Sequence, residues 1–282
     1  MDDCMIGLWV SELPMSDPSN KSWWEPLLRR FVNHDKAVQY LELLGEGGEG
    51  IVYRVKIEGM MYALKIFSEW EYTGAIPIPE HHEPYISPFA NECRAFARLD
   101  SMGENGTWAV KCHGWMKLSD DQFRPIRRGN SGVSRWAIVK DYLSDPVQIS
   151  DVPEIRRKMC IAYQATIHPS DILPRNYRGS FLVDLGRART YPYVKRFWSN
   201  RAFESCFTMF DETIEEWEID DEDGSVVMGG TNEKRKRFKA MKEQRKMQIE
   251  EQRGKSAPTP SSEGHGNLLA VESGGTHIEY SH

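Results

Sequence analysis

Gly45-Glu46-Gly47-Gly48-Glu49-Gly50-Ile51-Val52-Tyr53-Arg54-Val55-Lys56-Ile57 is the stretch on which the fold turns. Gly45, Gly47 and Gly50 have the G-x-G-x-x-G spacing, which alone marks either a dinucleotide-binding turn or a hairpin folded over phosphates. The flank separates the two. A dinucleotide fingerprint opens a helix at its last glycine. Ile51 to Ile57 instead alternates with period two, as a half-buried strand does. The spacing therefore predicts a glycine-rich hairpin, in which backbone N–H groups approach an anion with no Cβ in the way. A plain glycine-rich turn uses the same letters. Against phosphate binding, Glu46 and Glu49 put two carboxylates in the loop, and Glu49 sits near its tip.

Outward from the hairpin, Val38–Leu44 reads as the preceding strand, Glu58-Gly59 as a turn, and Met60–Phe67 as the return strand. Lys65 interrupts that apolar strand on the same face as Ala63, beneath the glycines, where a lysine meets the α- and β-phosphates of a nucleotide. Its bland alternative is a lysine snorkelling from an edge. Ser68 to Pro88 reads as a long loop. Phe89–Leu99 has helical spacing, with Glu92 inside its apolar stripe. An unpaired carboxylate is costly there, so a buried Lys65–Glu92 pair is predicted.

Trp108–Met116 and Trp136–Leu143 read as strands flanking a polar loop, Ile155–Ile167 as a helix, and Phe181–Val183 as a short buried strand. In His168-Pro169-Ser170-Asp171-Ile172-Leu173-Pro174-Arg175-Asn176 a carboxylate and a carboxamide stand five apart in a proline-stiffened loop. For phosphoryl transfer Asp171 would accept the proton of the attacking hydroxyl and Asn176 would ligate magnesium. Asp184, ahead of Leu185-Gly186, would bring a second oxygen ligand for that hard cation. As a bland alternative, both aspartates serve turns or caps.

The remainder bounds the answer. The chain has 282 residues, enough for a sizeable core, and no run of eighteen apolar residues that would span a membrane. Met1-Asp2-Asp3-Cys4 lacks the basic start and apolar stretch of a secretory signal. Five scattered cysteines suggest reduced thiols, and Cys112-His113 and His81-His82 form no spaced zinc set. An intracellular protein, in nucleus or cytoplasm, is expected. Trp23-Trp24 and the apolar-basic stretch Pro26 to Val32 read as a short helix in an N-terminal extension. After Tyr191 the pattern is helical but irregular. Asp211 to Asp223 carries nine carboxylates and no Lys or Arg, and Lys234-Arg235-Lys236-Arg237 begins a basic block. Such runs are usually solvated faces or tails. The basic block allows a nuclear-import signal; direct nucleic-acid binding is not expected. From Gly254 the chain is Gly/Ser/Thr/Pro-rich, as disordered segments are.

Taken together, the hairpin Gly45–Gly50 with Val52, the strand Ala63–Lys65, Glu92, a hinge-like Lys140-Asp141-Tyr142-Leu143, Asp171 with Asn176, and Asp184-Leu185-Gly186 resemble the protein-kinase fold over roughly residues 38–190. More narrowly, Leu44–Tyr53, Tyr62–Phe67, Phe89–Leu99 and Arg175-Asn176-Tyr177 are similar to a fungal kinase-like family associated with an inner-kinetochore subunit. The resemblance implies a compact two-lobed α+β fold: an extension at 1–37, an N-lobe to the hinge at 38–143, a truncated C-lobe at 144–215, and an acidic then basic, mostly disordered tail at 216–282. It implies ATP and Mg2+ as cofactors, held by Gly45, Gly47, Gly50, Val52, Ala63 and Lys65, with Asn176 and Asp184 on the metal, Glu92 orienting Lys65, and Asp171 as base. There are departures. His168 lies three residues before Asp171, no arginine precedes that Asp, and Arg187 to Tyr193 offers no long activation segment and no Ala-Pro-Glu. Two function classes follow: an ATP- and magnesium-dependent phosphotransferase acting on a protein or a small molecule, or a non-catalytic kinase-like adaptor in a nuclear, kinetochore-type assembly.

Overall fold

Three long apolar strands lie side by side and set the architecture. The computed structural model describes residues 3–17, 25–71, 86–127, 132–192 and 200–255. The chain divides into two units, Met1–Asn232 and Glu233–His282. In the first, β1 (Val10–Pro14), β2 (Leu28–Arg30), β3 (Gln39–Gly47), β4 (Gly50–Ile57), β5 (Met60–Ser68), β6 (Cys112–Lys117) and β7 (Val133–Asp141) form one sheet in the order β1-β2-β6-β7-β5-β4-β3. β1–β2 and β2–β6 pair parallel and the other pairs antiparallel, so the α+β unit is built on a mixed sheet. At the β4–β5 turn both Glu58 (φ 49) and Gly59 (φ 82) are left-handed, the geometry that matches strand twist in a two-residue hairpin.

Alternation assigns the two faces. Phe67, Trp115, Trp136 and Ile138 share one apolar cluster with α1 (Pro88–Ser101). Leu64, Ile66, Ala137 and Val139 join the cluster on the opposite face, with Phe123 and Ile126 of α2 (Asp120–Arg127). The Phe89 ring meets Phe67 edge-on at 5.2 Å and Trp136 at 5.3 Å, which seats α1 on the sheet. α1 begins where the sequence permits: the Ser87 hydroxyl accepts from Ala90 N–H at 3.2 Å and Pro88 fills the first turn.

Several expectations are corrected. Leu28–Arg30, inside the stretch read as a helix, is a strand, because parallel pairing with β1 and β6 satisfies its backbone while Leu28 and Phe31 go into the core. Trp23-Trp24 lies outside the described residues. The strand read from Trp108 starts at Cys112, and Ala109 bridges to Leu182 instead. The polar loop before Trp136 holds α2, opened by a reciprocal cap between Ser119 and Gln122 that hydropathy does not display. α3 (Val152–Gln164) stops before Ile167, because Thr166 turns left-handed (φ 52) and sends Ile167–His168 into β8, paired with β11 (Arg189–Thr190).

The acidic block is a solvated face carried on regular structure, most of its carboxylates being exposed. Its first part lies on α4 (Asn200–Glu215), and β12 (Trp217–Ile219) then pairs with β13 (Val226–Met228). Trp217 and Asp220 are buried among those carboxylates. Most of the loop 68–88 and the chain after residue 255 lie outside the described residues. α5 (Thr231–Lys255) covers the basic block as a helix, with Arg237 3.5 Å from Glu233. No helix among the described residues is long and apolar enough to cross a membrane.

Candidate functional site

Lys65 occupies an alternate position of β5, on the face that α1 covers, and is 3% exposed. Glu92 projects from α1 and is wholly buried. Their pairing is direct, Lys65 Nζ to Glu92 Oε2 at 2.7 Å. Lys65 Nζ also donates to Asp184 Oδ1 at 2.7 Å, and Glu49 Oε2 lies 3.6 Å away. Burial works against the ammonium charge, but Glu92, Asp184 and Glu49 outweigh it and hold the Lys65 pKa above the ordinary lysine value. Asp184 mirrors this: burial opposes its charge, yet Lys65 and Lys140 hold its carboxyl well below the usual range.

Lys140 is the member that sequence reasoning misplaced. Read as part of a hinge, it is the buried end of β7, donating to Glu92 Oε1 and to the Val183 carbonyl, both at 2.7 Å. Glu92 thus bridges two lysines from neighbouring strands, with Ala63 directly opposite Lys140 in the ladder. The signal was available. Lys140 breaks Trp136-Ala137-Ile138-Val139 just as Lys65 breaks Tyr62-Ala63-Leu64.

The facing wall runs from Ser170 to Arg189 and has little regular structure: a 3-10 turn at Pro174–Asn176, then β9 (Tyr177–Arg178) paired with β10 (Phe181–Leu182). Backbone bridges to Trp108–Val110 and Asp145–Pro146 hold it together with side chains. Asn176 donates its amide to the Asp171 carbonyl (2.9 Å), Asn91 of α1 donates to the Gly186 carbonyl (2.9 Å), and Lys158 reaches Ser180 Oγ (2.8 Å). Asp184 Oδ1 accepts from the Gly186 N–H at 2.9 Å. Beside this wall His168 is half-buried, and that burial pushes its imidazole down to about 4, with Arg189 adding to the shift.

Between the walls lies a cleft of about 1050 Å³. Gly45, Gly47, Gly50, Val52, Ala63, Lys65, Asp171, Asn176 and Asp184 all line it, together with Asp141, Tyr142 and Leu143. Glu92 sits behind Lys65. Gly50 (φ +148) is tight, since a Cβ there would lie 2.1 Å from the Ile66 carbonyl oxygen. Glu49 turns its carboxylate into the cleft, meeting Arg187 Nε at 3.0 Å; burial raises its pKa against the opposing pull of Lys65. Sequence reading placed Glu49 at the hairpin tip but found neither Arg187 as its neighbour nor Asn91 as the tie to Gly186, since the partners come from distant stretches of chain. Of the other pairs considered, Cys112 is buried and His113 Nε2 lies 2.6 Å from Asp141 Oδ1, whereas His81-His82 falls outside the described residues.

The family model for the kinetochore Sim4 complex subunit FTA2 matches residues 13–189, more than half of the chain and the whole of both cleft walls. No curated protein matches the chain. The chain belongs to the kinetochore Sim4 complex subunit FTA2 family.

Proposed function

We propose that this member of the FTA2 family is a nuclear kinetochore-complex subunit built on a kinase-like frame, acting as a non-catalytic adaptor. One observation carries the reading. The ammonium that would receive a nucleotide's phosphates is already met by three carboxylates, and one of them, Glu49, comes from the glycine hairpin itself. A triphosphate entering the cleft would face that carboxylate at short range, a repulsion of several kcal/mol, roughly 4 at 4 Å for a near-surface pair. Among the described residues, the short facing wall also offers little platform for a peptide substrate. The test is replacement of Asp171 by Asn in cells, followed by partner recovery and chromosome segregation. Both should match the wild type. Failure caused by Asp171→Asn alone, with the protein at normal abundance, would overturn the adaptor reading.

A second reading is favoured by the convergence of Lys65, Glu92 and Asp184 from three separate stretches of chain. ATP and magnesium fit this donor set in kind. Lys65 would hold phosphate oxygens, the Asp184 carboxylate and the Asn176 carboxamide oxygen would hold the metal, and Asp171 would accept the hydroxyl proton. The metal's chemistry would be charge neutralisation on the phosphates. Under this reading magnesium and millimolar ATP raise the melting temperature of the purified chain, and Lys65→Ala or Asp184→Ala removes the rise. No shift in the wild type would dispose of it.

A further inference from the structure

We infer that Glu49 is a built-in plug of the anion seat at Lys65: an entering phosphate-bearing ligand binds only by displacing the Glu49 carboxylate toward Arg187. The inference rests on reading the cleft as one shaped for a phosphate ligand, and it deepens that reading by assigning how the seat is regulated.

Four observations support it. The Glu49 carboxylate spans two cations, with Oε2 3.6 Å from Lys65 Nζ and Oε1 3.0 Å from Arg187 Nε. These partners differ. Lys65 is fixed and buried, while the Arg187 side chain is 68% exposed and free to lead the carboxylate outward. Oε2 is buried yet accepts no hydrogen bond, so this end of the carboxylate is poorly solvated and its departure leaves no broken hydrogen bond behind. Finally, the surroundings allow a side-chain swing. The Glu49 carbonyl accepts from Ser68 N–H at 3.0 Å, which fixes the backbone at Glu49 to the end of β5. At Gly47 and Gly48 nothing lies within 4 Å of where a Cβ would be, so the tip has open space around it.

The seat is also shaped around the carboxylate. A Cβ on Gly186 would lie 2.1 Å from Glu49 Oε2, so the absent side chain at 186 is what admits the plug. At the seat itself Lys65, Lys140 and Arg187 match Glu49, Glu92 and Asp184 charge for charge, so departure of Glu49 leaves one cation unmatched there, with Arg94, Arg175, Arg178 and Arg189 also lining the cleft.

The test is calorimetric titration of the full chain with inorganic pyrophosphate and, separately, with magnesium-ATP. Glu49→Gln should bind pyrophosphate about tenfold tighter than wild type, as expected when one close ion pair ceases to compete. Glu42→Gln removes the same charge from β3, the strand leading into the hairpin, away from the cleft, and should change Kd by less than about twofold. Adding Lys65→Met to Glu49→Gln should erase the gain. Glu49→Asp, one methylene shorter, guards against a fold defect in the first variant and should give a smaller gain. An unchanged or weaker Kd in Glu49→Gln, an equal gain in Glu42→Gln, or no binding by any variant would each overturn the plug. Failure of the ATP reading alone looks different: the pyrophosphate gain persists while ATP binds no better than pyrophosphate.

Discussion

The two walls of the cleft are made in different ways. The sheet wall, β3 to β5 with β7, is held by continuous backbone ladders, each strand eight or nine residues long. The facing wall from Ser170 to Arg189 has strands of two residues and is held by a few backbone bridges, to Trp108–Val110 and Asp145–Pro146, and by single side chains, chiefly Lys140, Asn91, Asn176 and Lys158. A ladder spreads its stability over many weak bonds, so one substitution changes it little. A wall held by short bridges and single side chains loses a larger share with each tie removed. Sheet and facing wall meet at Glu92, the carboxylate that pairs both buried lysines.

The comparison is broken most severely at that junction. Glu92→Ala leaves two buried ammonium groups short of a partner, and chemical denaturation should report about 3–5 kcal/mol of lost stability. A loss below 1 kcal/mol would mean that the walls do not share this anchor. Lys140→Met should separate them, with about 2–3 kcal/mol lost. Hydrogen exchange should then rise in 171–189 while the amides of β4 and β5 keep their protection; uniform loosening would refute the separate construction. His168 sharpens the contrast through pH. Its folded pKa of about 4 lies below the unfolded 6.5, so the neutral form is the one the fold prefers. Stability is full above pH 6.5 and falls on acidification toward 4, by on the order of 2 kcal/mol given its partial burial. His168→Leu should flatten that window relative to wild type in urea titrations. The smallest effect belongs to the sheet side. Ser87→Ala removes the α1 cap and should lower stability by about 1 kcal/mol without altering the pH profile.

The same division explains what could be read from the letters. The long strands and α1 were legible because alternation and helical periodicity persist over many residues, and the Lys65–Glu92 pair because each charge interrupts an apolar pattern. Asp171, Asn176 and Asp184 were located as lining residues by spacing, although the stretch around them has no period to read. Lys140 escaped because the surrounding letters suited a hinge equally well, and periodicity does not say which neighbour a buried lysine meets. β2 and the β12–β13 hairpin, three residues per strand, are too short to show alternation, and around Trp217 nine carboxylates outweigh one indole in any average of hydropathy. Contacts such as Glu49 with Arg187, 138 positions apart, exist only after folding.

Gly186 has a consequence for variation among relatives. A Cβ there would lie so close to the side-chain ends of Glu49, Lys65 and Asp184 that positions 49 and 186 form a linked pair of sizes. A chain carrying alanine or serine at 186 would push the flexible Glu49 carboxylate out of its place between Lys65 and Arg187, unless a shorter residue stood at 49.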